Sequence, residues 1–214
     1  MDLNDIAKEI AQCRKCGLHQ GRTQTVPGEG NPRAEVMFIG EGPGEKEDLQ
    51  GRPFVGAAGK YLSQLLEMIG WKRADVFIAN VVKCRPPKNR DPLPEEVETC
   101  TTNYLFRQIA VIKPAVIVTL GRHSLNRFVP DRIISRDHGK PFRVKGQVYY
   151  PIYHPAAALY RGALRADIES DFRKLPQVIA KAKLKPKKLP EASALDNLNK
   201  SAKIDSSRQQ RLLT

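Results

Sequence analysis

Four apolar runs along the chain have the length and composition of buried β-strands. The segments between them carry apolar residues at helical spacing, so strands and helices are predicted to alternate. Alternation of this kind is typical of an α/β fold with a parallel sheet. The four runs cover residues 34–39, 76–79, 115–120 and 148–153.

The clearest predicted helix covers residues 57–70, where leucines recur at amphipathic spacing and Gly70 suits the C-terminal end. Other helices are predicted at residues 2–12, 94–112, from about 122, and 166–180. The glycine- and proline-rich segment 41–56 is predicted to be a loop. From residue 181 the composition shifts to Lys, Pro, Ser, Asn and Asp without a period. We therefore predict a domain of residues 1–180 and a basic, disordered tail of residues 181–214.

Three of the four predicted strands lead into polar residues that suit catalysis or base recognition: Glu41, Asn80 and His154. In open α/β sheets, ligands bind outside the carboxyl ends of the strands, so these residues are expected to share one crevice. The Asn80 amide offers one donor and one acceptor to a pyrimidine edge, and His154 can hold or donate a proton. Taken singly, each also fits a structural role. Their convergence favours an enzyme.

The loop after the first strand lacks the spacing of a phosphate-binding or dinucleotide-binding motif. Its glycines can instead bring backbone N–H groups close to a ligand. Phe54 lies between rigid residues in this loop and fits either a stacking platform for a planar base or a core position. His19, His123 and His138 have no comparable setting and are interpreted as structural.

The chain has 36 Lys and Arg against 23 Asp and Glu, a net charge of +13. A basic surface binds polyanions by releasing their counterions, so nucleic acid is the expected partner, although a merely soluble basic surface is the alternative. Residues 1–180 keep 27 basic against 20 acidic residues, so the domain is basic without its tail. The sequence lacks a long apolar run and a secretory signal, so no membrane partner and a cytoplasmic, nucleoid-associated location are expected.

The chain has four cysteines: Cys13, Cys16, Cys84 and Cys100. Without a secretory signal, metal binding is favoured over structural disulfides. A site that includes all four would fasten the N-terminal segment to the domain. Thiolates suit both zinc and iron–sulfur clusters, and the presence of only one close Cys-x-x-Cys pair favours a cluster. Four unrelated buried thiols are the other interpretation.

Two segments resemble motifs of a known enzyme family. Residues 40–48 together with 51–56, Gly-Arg-Pro-Phe-Val-Gly, resemble the first motif of the uracil-DNA glycosylase superfamily, and specifically of its iron–sulfur branch, family 4. Residues 153–159, Tyr-His-Pro-Ala-Ala-Ala-Leu, resemble the second motif. The fifteen residues between Cys84 and Cys100 also match this branch. The likeness covers residues 3 to about 180.

The resemblance implies a three-layer α/β/α fold around a four-stranded parallel sheet, with a [4Fe-4S] cluster on the four cysteines. It also implies a monofunctional DNA glycosylase that flips uracil out of DNA and hydrolyses its N-glycosidic bond, leaving an abasic site for base excision repair. A sister branch traps the sugar on a histidine between the second strand and the last cysteine. Residues 81–99 contain no histidine, so no covalent link to DNA is expected.

The resemblance also implies a base pocket. Phe54 would stack on the flipped uracil, and Asn80 would read its Watson–Crick edge. The backbone at Gly40 and Gly42 would face the substrate. Glu47 occupies the position where the family blocks the methyl group of thymine.

The implied catalytic pair is Glu41 and His154. His154 would stabilise negative charge on uracil O2, together with nearby backbone N–H groups, while Glu41 would position water or stabilise the cationic sugar. Leu159, Tyr160 and Arg161 lie where a wedge would enter the gap left by the flipped base. In this chain Tyr-Arg-Gly replaces the small polar residues that usually follow Leu159.

Two other functions fit part of the sequence. A non-catalytic iron–sulfur DNA-binding module explains the charge and the cysteines, but not the polar residues at the strand ends. A zinc-bound nucleotide hydrolase would need water-activating ligands besides the cysteines, and none cluster in the sequence.

We expect a monomer. Gln209 and Leu212 have the first spacing of a sliding-clamp peptide without its paired aromatics, so phosphate tracking is favoured over clamp binding for the tail.

Overall fold

The structure, a computed structural model, describes residues 2–184. Met1 and residues 185–214 lie outside the described part, and with them most of the predicted disordered tail and the clamp peptide at Gln209 and Leu212. Within the described part, one sheet has six strands in the order β1-β3-β2-β4-β6-β5. The strands are β1 (Glu29–Gly30), β2 (Val36–Gly40), β3 (Phe77–Asn80), β4 (Val116–Leu120), β5 (Phe142–Val144) and β6 (Gln147–Ile152).

The four central strands pair in parallel, which confirms the predicted parallel core. The sheet is mixed, because β1 and β5 add antiparallel pairs at its two edges. Neither edge strand was predicted. Each has only two or three residues and none of them is buried, so no apolar run marks them in the sequence.

The helices of the described part connect these strands. They are α1 (Leu3–Ala11), α2 (Glu45–Gln50), α3 (Ala57–Met68), α4 (Pro94–Cys100), α5 (Phe106–Ile112), α6 (Arg122–Phe128), α7 (Ile134–Asp137), α8 (Pro155–Tyr160) and α9 (Leu164–Lys183). The predicted helix at 94–112 is interrupted by a π-helical segment, Thr101–Leu105, directly after Cys100. The last helix is longer than predicted and ends at Lys183, so residues 181–183 are helical and do not belong to a disordered tail.

Helices cover both faces of the sheet, which confirms the three-layer α/β/α fold. On one face, α3 and α9 pack on the sheet through side chains such as Leu62 and Phe172. On the other face, α1 contributes Ile6 and Ile10 to a second cluster. Successive residues of a buried strand point to opposite faces, so β2 can be apolar throughout and serve both clusters.

The prediction that residues 41–56 form only a loop was wrong, because α2 lies within them. Gly44 is the N-cap of this short helix, and Glu47 lies in its first turn, where the helix dipole favours acids. Gly51 ends it in the left-handed conformation at φ 67°. The glycines that suggested a loop therefore bound a one-and-a-half-turn helix.

No helix within residues 2–184 combines the length and the apolar character that crossing a lipid bilayer requires.

Candidate active site

The carboxyl ends of the parallel strands open into a cleft with a volume of about 410 Å³. Three strands bring one polar residue each to this cleft. Glu41 follows β2, Asn80 ends β3, and His154 follows β6. Gly40 and Asn80 are partners in the β2–β3 register, so the ends of these two strands lie side by side.

Asn80 lies on the inner wall of the cleft with an unused hydrogen-bonding group. Its side chain is 2% exposed, and its Oδ1 has no hydrogen-bond partner within the described residues. A buried, unpaired amide oxygen costs free energy, so its retention at a cleft indicates a ligand that donates to it. Gly40 lies against the side chains of Asn80 and Phe54. A Cβ there would come within 2.5 Å of Asn80 Oδ1 and 2.6 Å of Phe54 Cζ, so the glycine leaves room for both side chains.

Phe54 adds an aromatic wall in a strained backbone conformation. Its φ is 52°, in the left-handed region that non-glycine residues rarely adopt. Its ring lies 5.6 Å from that of His154, centroid to centroid. Glu47 holds the following residues, since its Oε1 accepts from the N–H groups of Val55 at 2.8 Å and Gly56 at 2.7 Å. Glu47 therefore lines the cleft and also shapes the Phe54 loop.

Arg73 holds the same loop from the other side. Its guanidinium donates to the carbonyl of Pro53 at 2.7 Å and to that of Phe54 at 3.1 Å. Glu29 pairs with Arg73 and with Arg52, and these charged groups hold the pKa of Glu29 below its usual value. The strained conformation of Phe54 is thus fixed by side chains from three separate segments.

The surroundings of His154 favour a neutral ring and one tautomer. It is the N-cap of α8, and its Nδ1 accepts from the backbone N–H of Ala156 at 3.1 Å. An Nδ1 that accepts leaves the proton on Nε2. Burial lowers the pKa of His154 to about 4, so the ring can donate from Nε2 at neutral pH without carrying a charge.

Glu41 lies beside two groups that the sequence did not connect with it. Its Oε2 is 3.8 Å from Nε2 of His123, which is 3.2 Å from Oδ2 of Asp91. Burial and then the charge of Asp91 raise the pKa of Glu41 to about 7, opposed by Arg122. His123 was interpreted as structural, but it follows β4 by three residues, and that position at a strand end was the available signal.

The segment predicted as a wedge lies at the rim of the cleft. Tyr160 is 87% exposed and lines the cleft, while Leu159 is 51% exposed. Arg161 is also exposed and follows the end of α8. Two large exposed apolar side chains at the mouth of a cleft are available to contact a partner.

The four cysteines lie together away from this cleft, around one small cavity. Arg22 donates to Sγ of Cys84 at 3.2 Å, and the backbone N–H of Lys83 donates to Sγ of Cys100 at 3.2 Å. Burial raises the pKa of Cys84, and that of Cys100 to about 12. A strongly bound metal would therefore be needed to keep these groups as thiolates.

The four cysteines provide a complete set of ligands for a metal centre. They line one cavity, and four thiolates suit either a tetrahedral zinc ion or an iron–sulfur cluster.

Comparison with known proteins places this fold and cleft in a family. The family model described as "Uracil DNA glycosylase superfamily" matches residues 27–175. The chain belongs to the uracil-DNA glycosylase superfamily. It is 53% identical over 188 residues to the type-4 uracil-DNA glycosylase of Archaeoglobus fulgidus, which covers 84% of this chain and 94% of that protein. Identity to the type-4 uracil-DNA glycosylase of Sulfurisphaera tokodaii is 50% over 187 residues, 82% of this chain and 84% of that protein.

The sequence identities separate the type-4 branch from the type-5 branch of the superfamily. A type-5 uracil-DNA glycosylase of Pyrobaculum aerophilum is only 30% identical over 149 residues, 61% of this chain and 65% of that protein. The resemblance to family 4 drawn from the motifs is therefore confirmed. Among the predicted site residues, the cleft brings together Glu41, Gly42, Glu47, Phe54, Asn80, His154 and Tyr160.

Proposed function

We propose that this protein flips uracil out of DNA into the cleft and hydrolyses the bond between uracil N1 and the deoxyribose C1′. The product is an abasic site for base excision repair. The observation that carries the proposal is the buried Oδ1 of Asn80, unpaired within residues 2–184, in the same cleft as the Nε2–H donor of His154 and the carboxylate of Glu41. A base stacked in duplex DNA cannot reach such a site, so it must be extruded.

Asn80 reads the base in this scheme. Its Oδ1 accepts from uracil N3–H while its Nδ2 donates to uracil O4. Cytosine presents the opposite arrangement at these two positions, so it would leave the buried amide unpaired. Phe54 stacks on the ring, and Glu47, held against the N–H groups of Val55 and Gly56, is placed to exclude the C5-methyl group of thymine.

Bond cleavage leaves a cationic sugar and a uracil anion. The electron pair of the C1′–N1 bond moves to uracil, where the Nε2–H of His154 and backbone N–H groups near Gly42 stabilise the charge on O2. Ionised Glu41 stabilises the sugar cation or positions the water that adds to C1′, and the water proton is then released to solvent. Leu159, Tyr160 and Arg161 fill or flank the gap in the duplex.

We assign the [4Fe-4S] cluster of this family to Cys13, Cys16, Cys84 and Cys100. The donor set and the common cavity fit it. When bound, the cluster supplies a cross-link between α1 and the loop and helix around Cys84 and Cys100. It takes part in no step of the hydrolysis.

Replacement of a cluster ligand tests this assignment. Cys100→Ala is expected to lower the iron content from about four per chain to below one, and to remove the brown colour, because a buried ligand is lost. Iron and zinc analysis of the purified proteins checks this. Ser63→Ala, which removes a side chain that bonds only within α3, should retain full iron. A colourless wild-type protein with one zinc per chain would contradict the assignment.

Glu41 gives a pH dependence with a definite sign. Its pKa of about 7 means that the ionised form increases as pH rises from 5.5 to 8. If the carboxylate is the active form, the single-turnover rate rises up to tenfold per unit below pH 7 and levels off above it. Glu41→Gln should give a slow rate that is flat over the same range. A flat profile in the wild type would contradict this role.

The function itself is tested with oligonucleotides that carry U·G, U·A or T·G pairs. Abasic product from both uracil substrates, with thymine spared, is expected. The alternative, a non-catalytic iron–sulfur DNA-binding module, predicts tight binding with no abasic product from any substrate.

A further inference from the structure

One buried lysine contacts both the end of β3 and the cysteine site. Lys83 is 1% exposed. Its Nζ donates to the backbone carbonyl of Asn80 at 2.8 Å, and its backbone N–H donates to Sγ of Cys100 at 3.2 Å. A single residue therefore contacts the backbone of Asn80 and a cysteine that we assign to the cluster.

A buried ammonium group is rare, because removing it from water costs several kcal/mol unless opposite charge or hydrogen bonds compensate. The contact recorded for Nζ of Lys83 within the described residues is the carbonyl of Asn80. Four cysteine thiolates around an iron–sulfur cluster carry net negative charge and lie next to this position. The negative charge of the cysteine site would thus compensate the desolvation of the Lys83 ammonium group, for which the carbonyl of Asn80 alone is not sufficient.

The geometry of the turn explains why this contact matters for Asn80. Residues 81–84 form the turn that leads from Asn80 to Cys84. In this turn the N–H groups of Val81 and Val82 donate to the carbonyls of Gly40 and Glu41. The side chain of Lys83 folds back across this turn. Because Oδ1 of Asn80 has no hydrogen-bond partner among residues 2–184, the contacts of its backbone help to hold the amide in place.

We propose that Lys83 is a positioning residue for Asn80, and that through it the cysteine site supports uracil recognition as well as the fold. This inference rests on the proposed function, in which Asn80 reads uracil. Lys83 does not line the cleft, so it acts through Asn80 and not on the substrate.

A double-mutant cycle on the iron-loaded protein tests the proposal. The uracil increment is defined as the ratio of affinities for DNA carrying non-cleavable 2′-fluoro-2′-deoxyuridine and DNA carrying a tetrahydrofuran abasic analogue. Lys83→Met keeps the apolar stem and removes the ammonium. It should lower the uracil increment about tenfold, the order expected for one charged hydrogen bond, and leave affinity for the abasic analogue unchanged. In an Asn80→Ala background the same substitution should have no further effect.

Arg22→Gln is the matched control. Arg22 donates to Sγ of Cys84 and to the carbonyl of Ala11, and has no recorded contact with Asn80. Its loss should leave the uracil increment within twofold of the wild type. If Lys83→Met fails to retain iron, Lys83→Gln replaces it. Gln is neutral and carries its N–H one atom nearer the backbone, so it should lose part of the increment.

The outcomes separate this inference from the proposed function. A full increment in either iron-loaded Lys83 variant refutes the positioning role, as does a loss that simply adds to that of Asn80→Ala. If Asn80→Ala alone leaves the increment intact, the assignment of Asn80 as the uracil reader fails instead.

Discussion

Asn80→Ala is expected to excise uracil roughly 10³-fold more slowly than the wild type in single turnover. The variant removes both hydrogen-bonding atoms from a wall that is 2% exposed, where water cannot replace them. The loss should appear in the rate constant measured at saturating enzyme, because the amide orients the base at the reacting geometry. Matched oligonucleotides with U·G and U·A pairs should show the same loss, and T·G should remain intact throughout.

Asn89→Ala is the control for this prediction. Asn89 also lines the cleft, but it is exposed, and its Oδ1 already accepts from Nε of Arg85 at 2.8 Å. Its removal should change the excision rate less than threefold. If Asn80→Ala stays within tenfold of the wild type, the unpaired amide is not the base reader, and the strand-end convergence loses its main support.

The site residues at the ends of apolar strands could be predicted from the sequence, because the apolar run that predicts a strand also shows which residue lies at its carboxyl end. The apolar run that makes β3 a strand also locates Asn80 at its carboxyl end, and the same holds for His154 after β6. The rule that ligands bind at these ends then places both in one cleft. The family motifs added roles to residues such as Glu47, whose spacing alone carries no such information.

Other parts depend on contacts between distant segments, which no local pattern encodes. Arg73 supports Phe54 from 19 residues away. Asp91 and His123 meet beside Glu41 although 32 positions separate them. The left-handed conformation of Phe54 is imposed by such contacts and opposes the local preference of the residue. Functional sites are where local preference is expected to fail, and Phe54 is such a residue in the predicted base pocket.

Burial raises the pKa of Glu41 and lowers the pKa of His154, and both shifts favour the neutral form of the group. Burial keeps part of Glu41 protonated near pH 7, and it keeps His154 neutral well below pH 6. A site in which one group gains charge as pH rises while the other stays neutral suits the separation of charge in glycosidic cleavage. The pH profile of the wild type should therefore report the ionisation of Glu41 and not that of His154.

His154→Asn is expected to lower the single-turnover rate by about 10²-fold, the loss typical of one donor to a developing anion. Asn is a good helix N-cap, so its Oδ1 can replace Nδ1 as the acceptor for the N–H of Ala156 and preserve α8. Its shorter side chain does not place a donor where Nε2 lies. The variant therefore removes the chemistry and spares the fold, which thermal unfolding of both proteins should verify.

His138→Asn is the control, because His138 pairs with Asp171 at 2.7 Å and packs against Tyr153, outside the cleft. It should cost stability while the excision rate changes less than threefold. The wild-type rate must also not fall between pH 5.5 and 8. A decrease with a midpoint near the ordinary histidine pKa of about 6.5 would mean that a charged imidazolium is the active form. The acceptor role of Nδ1 and the burial of the ring argue against that form, because both favour the neutral ring with its proton on Nε2.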